Sequence, residues 1–537
     1  MKKLIYKLTA LTVLIGFVFS GCRNPAYDLN VLFDAAVIQY KATLILKDAA
    51  GGTLPNNITA TITGTDAASI YDFSGTKAIP VTAGVITLGV TPKDIPTSAK
   101  TLSFNVVISA PGYDTKIIPA TIALNQFGQI ITVYLLKTVV PTPTSSVVST
   151  EIPVNAAGAT TAPVTFSTPS TGNVPQQTAI TVPAGVSFKD AAGTTLVGPV
   201  TAQAVNFDAS DPAAISLFPG GDLSGTNVTL PNGSVGAAFF FPAGFTDVNM
   251  YVGGVAVRNF TTPITIGMQL DETFKPQATG AAVKVGDQLG IYSYRDGAFK
   301  FETNASVIRD AAGKLAVSFT TNHLTVFICG DVVATATCKV PNVTYSAAWM
   351  GTAQTPLEVQ ITSFDGLKIL STKTVLISDG LKDVFAELPP VAVKYRILDA
   401  NAVVLASGTI ADPCSGTDFT IVVGQPGTPV TNVTLVLNVE CPGKGLISVP
   451  DFDLFFKPAG SNAGYTILGT AKKGIIASTL LKVGSSYDFR AIWGKQTKDV
   501  FAKVITAADL STTVGDGKNL GTTVDANRAL LIQACKN

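Results

Sequence analysis

Three times along this chain an alternating apolar run breaks at Asp-Ala-Ala-Gly and then resumes. The stretches are "LILKDAAGGTL" from Leu44, "SFKDAAGTTL" from Ser187 and "VIRDAAGKL" from Val307. In the second, Asp190 suits the first turn position, where its carboxylate accepts from a nearby amide. Ala191 and Ala192 fit the two central type I positions, and Gly193 takes the left-handed position that follows. Asp48 with Gly51, and Asp310 with Gly313, repeat these roles. Calcium ligation is the rival reading, but each aspartate stands alone, without the alternating acidic spacing of a calcium loop. The repeat therefore marks hairpins, and hairpins commit the chain to sheets.

The intervening residues agree. The chain has 47% hydrophobic and only 14% charged residues over 537 positions. Thr, Val, Ala and Gly are abundant, a mixture that suits strands and turns better than helices. A length beyond one hydrophobic core calls for several domains. The expected class is all-β, built from tandem immunoglobulin-like or prealbumin-like β-sandwich modules. With 37 basic against 36 acidic residues the net charge is +1. No basic block appears, so a nucleic-acid partner is not expected.

The N-terminus carries Lys2, Lys3 and Lys7 ahead of a short apolar run, Leu8 to Phe19. That run is shorter than the roughly 20 residues of a spanning helix and reads as a signal peptide, residues 1–21. "FSGC" resembles a bacterial lipobox, with Phe19 in place of the usual Leu. The resemblance implies lipidation of Cys22, a tether over 22–30, and a lipid bilayer as partner through the acylated cysteine. An ordinary secretory signal is the alternative.

Period-two alternation in "YKATLILKD", "LSFNVVIS" and "QIITVYLLK" predicts a first β-sandwich over 31–137. Its "KDAAGGTL" hairpin and "APGYDT" turn resemble prealbumin-like or carboxypeptidase-regulatory-like sandwiches. "VVPTPTSSVVSTE" reads as a Pro/Thr/Ser-rich linker over 138–176. A β-rich domain follows over 177–330, similar to a domain of extracellular multidomain proteins, although Phe299 stands where tryptophan is common. Residues 331–430 and 431–537 resemble divergent copies of one sandwich. "SYDFRAIW" in the second is similar to a late fibronectin type III strand. Together these features resemble modular outer-membrane lipoproteins of Bacteroidetes-like bacteria. The resemblance implies an outer-membrane, lipid-anchored protein at the cell surface, its orientation left open.

Candidate sites are few. His323, the one histidine, lacks a visible nucleophile, acid or companion ligand and reads as structural. Asp208 and Asp211 beside Pro212 read as turn residues, with calcium the alternative. Phe239, Phe240 and Phe241 alternate between a core face and a domain contact. Trp349 and Trp493 suit interior packing or sugar stacking. No cofactor, metal or catalytic residue is expected. Beyond Cys22, five cysteines remain, and two pairings are open. One joins Cys329 to Cys338 and Cys414 to Cys441, stapling successive modules; the other joins Cys338 to Cys414 and Cys441 to Cys535. The expected function is a structural, adhesion or assembly role with a surface protein or glycan partner. The alternative is a glycan-binding lipoprotein of a polysaccharide uptake system; a hydrolase resting on paired carboxylates is a third reading.

Overall fold

In strand Leu102–Ser109 the alternate residues Leu102, Phe104, Val106 and Ile108 are all buried, while the residues between them reach the surface. That is how a sheet with one wet face converts sequence period into burial. The computed structural model describes residues 38–505, together with 511–513. Positions 39, 99, 125, 127, 138–139, 278, 336–340, 386–387, 428–431, 437–438, 442–444 and 448–450 are not among the described residues. Cys22 and the whole signal-like segment lie outside them, as do Cys338 and Cys535. The architecture is all-β, in several discrete sheets.

Three units share one topology, in which the first strand pairs antiparallel with a middle strand and parallel with the last. In the first unit Lys41–Asp48 lies between Val85–Val90 and Gln129–Leu135, facing a sheet of Thr59–Thr63, Leu102–Ser109 and Lys116–Ile122. In the third, Asn342–Ser346 lies between Lys382–Val384 and Phe419–Val422. Facing it are Ile369–Ile377, Thr355–Ser363, Val393–Leu398 and Val404–Ile410. The fourth repeats the third strand for strand: Val433–Val436 lies between Ile475–Ser478 and Ser511–Thr513. Its facing sheet is Thr466–Ala471, Phe452–Pro458, Ser486–Trp493 and Gln496–Val504.

The second unit is larger, with a six-stranded and an eight-stranded sheet. The stretch expected as a linker belongs to it. Ser145–Ile152 pairs along its length with Val200–Phe207, and Val164–Ser167 pairs with Thr178–Val182. Both strands lie at sheet ends, where Ser and Thr meet water while β-branched side chains keep the extended backbone favourable. Phe239, Phe240 and Phe241 are all fully buried here, so neither face of that run is a surface contact. Phe240 packs 4.5 Å from the Phe299 ring.

The Asp-Ala-Ala-Gly turns form as the sequence requires. Asp190 Oδ1 accepts from the Ala192 and Thr194 amides at 2.9 and 2.8 Å. Asp310 Oδ1 accepts from Ala312 and Lys314, both at 2.9 Å. The glycines at 51, 193 and 313 have φ of 78°, 81° and 76°. Two further turns use the device without its full spelling: Asn155 accepts from Ala157 and Ala159, and Asp399 from Asn401 and Val403.

Candidate functional site

What the sheets bring together is a set of buried polar junctions between units. The first is a strand pairing. Gln129–Leu135 of the first unit and Ile369–Ile377 of the third pair antiparallel, Ile130 opposite Thr374, so the two units share one eight-stranded sheet.

The second junction lies on that sheet. Lys41 and Thr43 sit on the face opposite Leu44 and Leu46, and the fourth unit covers them. Lys41 Nζ donates to Asp453 Oδ1 at 2.5 Å and also to the Thr470 hydroxyl. Thr43 donates to Asp453 Oδ2 at 2.6 Å, and Thr470 donates to Oδ1 at 2.8 Å. Asp453 is 1% exposed and Lys41 8%. Around them Val85, Ile130, Leu376, Phe455, Ile467 and Ile492 form an apolar cluster drawn from three units. A pair so enclosed is screened little by salt.

The third junction joins the second and third units. Lys368, at the base of a hairpin, donates to Asp271 Oδ2 at 2.8 Å and to the Ala209 carbonyl at 2.5 Å. Burial alone would raise the Asp271 carboxyl, but Lys368 and Thr273 outweigh it and hold it below the usual range. Between the first and second units, buried Lys116 donates to the Leu217 carbonyl at 2.9 Å. Burial lowers its ammonium from the ordinary lysine range, with Asp114 and Asp247 opposing. Asp247 is pushed up to about 7 by burial and by Asp114.

The turn aspartate Asp48 has a second use. Its Oδ2 accepts from Tyr113 at 2.5 Å and lies 3.0 Å from Lys137 Nζ. Burial raises its carboxyl, yet these partners with the Gly52 and Ala50 amides bring it to about 2. It ties the hairpin to the "APGYDT" turn.

The residues picked out by sequence do not converge. His323 lies 3.5 Å from Glu302, which stands on a strand of the unit's other sheet, and burial lowers its imidazole while Glu302 opposes the shift. Ser293 donates to the same Glu302 oxygen at 2.6 Å, and the Thr321 hydroxyl lies 3.2 Å from His323 Nδ1 while also donating to the His323 carbonyl. Asp208 accepts from Ser210, and Asp211 caps the short helix Pro212–Ile215 through the Ala213 amide. Trp349 Nε1 donates to the Val423 carbonyl at 2.9 Å, and Trp493 packs on the fourth unit's core. Cys329 is a free thiol with 0% exposure, so its expected pairing with Cys338 fails: its strand turns the side chain into the core. No disulfide joins two cysteines whose side chains are described; Cys414 is bonded to a partner outside that set. Among the described residues no three His, Cys, Asp or Glu side chains gather as a metal site. No helix among the described residues is long and apolar enough to cross a membrane.

No family model matches the chain, and no curated protein matches it. Solved structures do. The shaft pilin SpaA from Lactobacillus rhamnosus GG is 12% identical, matching 33% of this chain and 95% of its own, with a TM-score of 0.16. GBS52, the minor pilin of the Gram-positive pathogen Streptococcus agalactiae, is 11% identical over 33% of this chain and 94% of its own, at 0.13. The Bacillus anthracis TIE protein is 10% identical over 68% and 73%, also at 0.13. At such identities and TM-scores nothing about activity passes from them to this chain. They do correct the resemblance drawn from sequence. The chain's likeness is to pilins of Gram-positive bacteria, and these are not Bacteroidetes-type lipoproteins. The outer-membrane localisation is withdrawn with it.

Proposed function

We propose that this chain is a non-catalytic structural protein, a rigid multi-unit block serving adhesion or assembly outside the cytoplasm. The observation that carries the reading is the sheet shared by the first and third units, locked from above by Lys41 and Asp453. Independent binding modules on tethers need no such joints; a load-bearing or assembling block does. Limited proteolysis of the native chain with mass spectrometry tests this. One resistant fragment holding all four units is expected, and release of intact single units of about 100 residues would sink the reading.

Two finer points belong to the same proposal. Acylation of Cys22 rests on "FSGC" alone, and the mass of the mature N-terminal peptide decides it. Glycan delivery has less behind it, because Trp349 and Trp493 are committed to a carbonyl and a core.

A further inference from the structure

Every open sheet ends in strands whose outer backbone groups lack partners, and such edges invite another strand unless guarded. Several edges of this chain are guarded. Ile70–Asp72 spans three residues, and Lys77 donates to the Ile70 carbonyl at 3.0 Å. Gln496–Val504 is broken by a register shift, with Ala502 at φ 53°, and carries Lys498, Asp499 and Lys503. Ser145–Ile152 carries Glu151, and Lys116–Ile122 is packed on the second unit through Lys116. Thr59–Thr63 is uncharged but exposes no large apolar side chain.

Val404–Ile410 is different. It ends the eight-stranded shared sheet, pairs only with Val393–Leu398, and reads "VLASGTI" without a charge. Val403 and Val404 are 51% and 48% exposed, and Val422 on the neighbouring edge of the other sheet is 73% exposed. The Gly424 amide donates to the Leu405 carbonyl at 2.9 Å, which stops one end of the strand. Among the described residues no strand pairs with the outer side of the stretch from Ala406 to Ile410.

We infer that this edge pairs with the same edge of a second copy of the chain, antiparallel, extending the shared sheet across a twofold axis. Two observations favour a second copy over another partner. An uncharged strand meets no like charge when it faces itself. The chain already joins units in this way, since Gln129–Leu135 and Ile369–Ile377 meet edge to edge. So short a contact is weak by itself. Copies crowded on a surface or along an assembly would engage it through local concentration.

The proposal rests on the assembly reading, and its test is separable from the proteolysis above, which does not depend on this edge. Ser407 and Thr409 are exposed, opposite Arg396 and Lys394 on the neighbouring strand, so circular dichroism and a melt must first show that Ser407→Lys with Thr409→Lys, and Ser407→Glu with Thr409→Glu, keep the fold. In sedimentation velocity of the full chain from about 1 to 200 μM, the unchanged protein is expected to self-associate. Each charged pair of substitutions should stay monomeric, and an equimolar mixture of the two should restore association. A chain that stays monomeric overturns the proposal, as does association that survives the lysine pair, or a mixture that fails to associate.

Discussion

Replacing Asp453 by alanine tests the junction of the first and fourth units. The carboxylate accepts from Lys41, Thr43 and Thr470, and only 1% of the residue reaches solvent. Its loss leaves the Lys41 ammonium enclosed, with the Thr470 hydroxyl and the Phe73 ring 5.2 Å away as remaining company. Breaking one side of a buried pair costs about 3–5 kcal/mol. Removing both charges with Lys41→Met and Asp453→Leu should cost less, about 2 kcal/mol, since only the two threonine hydroxyls lose an acceptor. The chain holds two tryptophans. In a Trp349→Phe background, Trp493 therefore reports the fourth unit alone during urea unfolding. A midpoint shift equivalent to less than about 1 kcal/mol for Asp453→Ala would place this pair with surface ion pairs and refute the argument. So would a double variant less stable than the single one.

Gly330→Ala should destabilise by about 1–3 kcal/mol in thermal melts, because its Cβ would meet the Phe241 carbonyl oxygen and, at 2.9 Å, Pro242 Cα. Stability should fall as pH rises from about 4 to about 7. Asp222, raised by burial to about 6, and Asp247, raised to about 7, hold protons in the folded chain that the unfolded chain has released. Asp247→Asn should flatten the upper part of that slope in melts across the range; an unchanged slope would count against it. The Cys329 thiol, raised by burial and enclosed, should react with a thiol-disulfide reagent only at the rate of unfolding, and rapid native labelling would contradict its placement.

Alternation made the strands legible: Leu102 to Ile108 read as a one-sided strand and is one. The Asp-Ala-Ala-Gly turns were legible because their geometry is local and each residue has its own backbone reason. The last two units resemble divergent copies of one sandwich in sequence, and their strand order is the same. The strands around 145–167 were missed because proline, serine and threonine were weighed for polarity, while their β-branched neighbours supply the extended backbone. The junctions had no sequence signal. Period two places Lys41 and Thr43 together on a polar face, but it does not say what covers that face. Their partner Asp453 lies 412 residues away, and it too reads as an ordinary polar position in an alternating strand.

The shared sheet also sets an order of completion during synthesis. Gln129–Leu135 leaves the ribosome with one side unpaired, and its neighbour Ile369–Ile377 follows only after the whole second unit has been made. Lys41 must stay hydrated longer still, until Asp453 arrives. The earliest unit therefore stays unfinished until the fourth is under way, with a bare edge until the third unit arrives and an unmatched amine until Asp453 does. A chain stopped at the end of the first or second unit keeps that edge open for good.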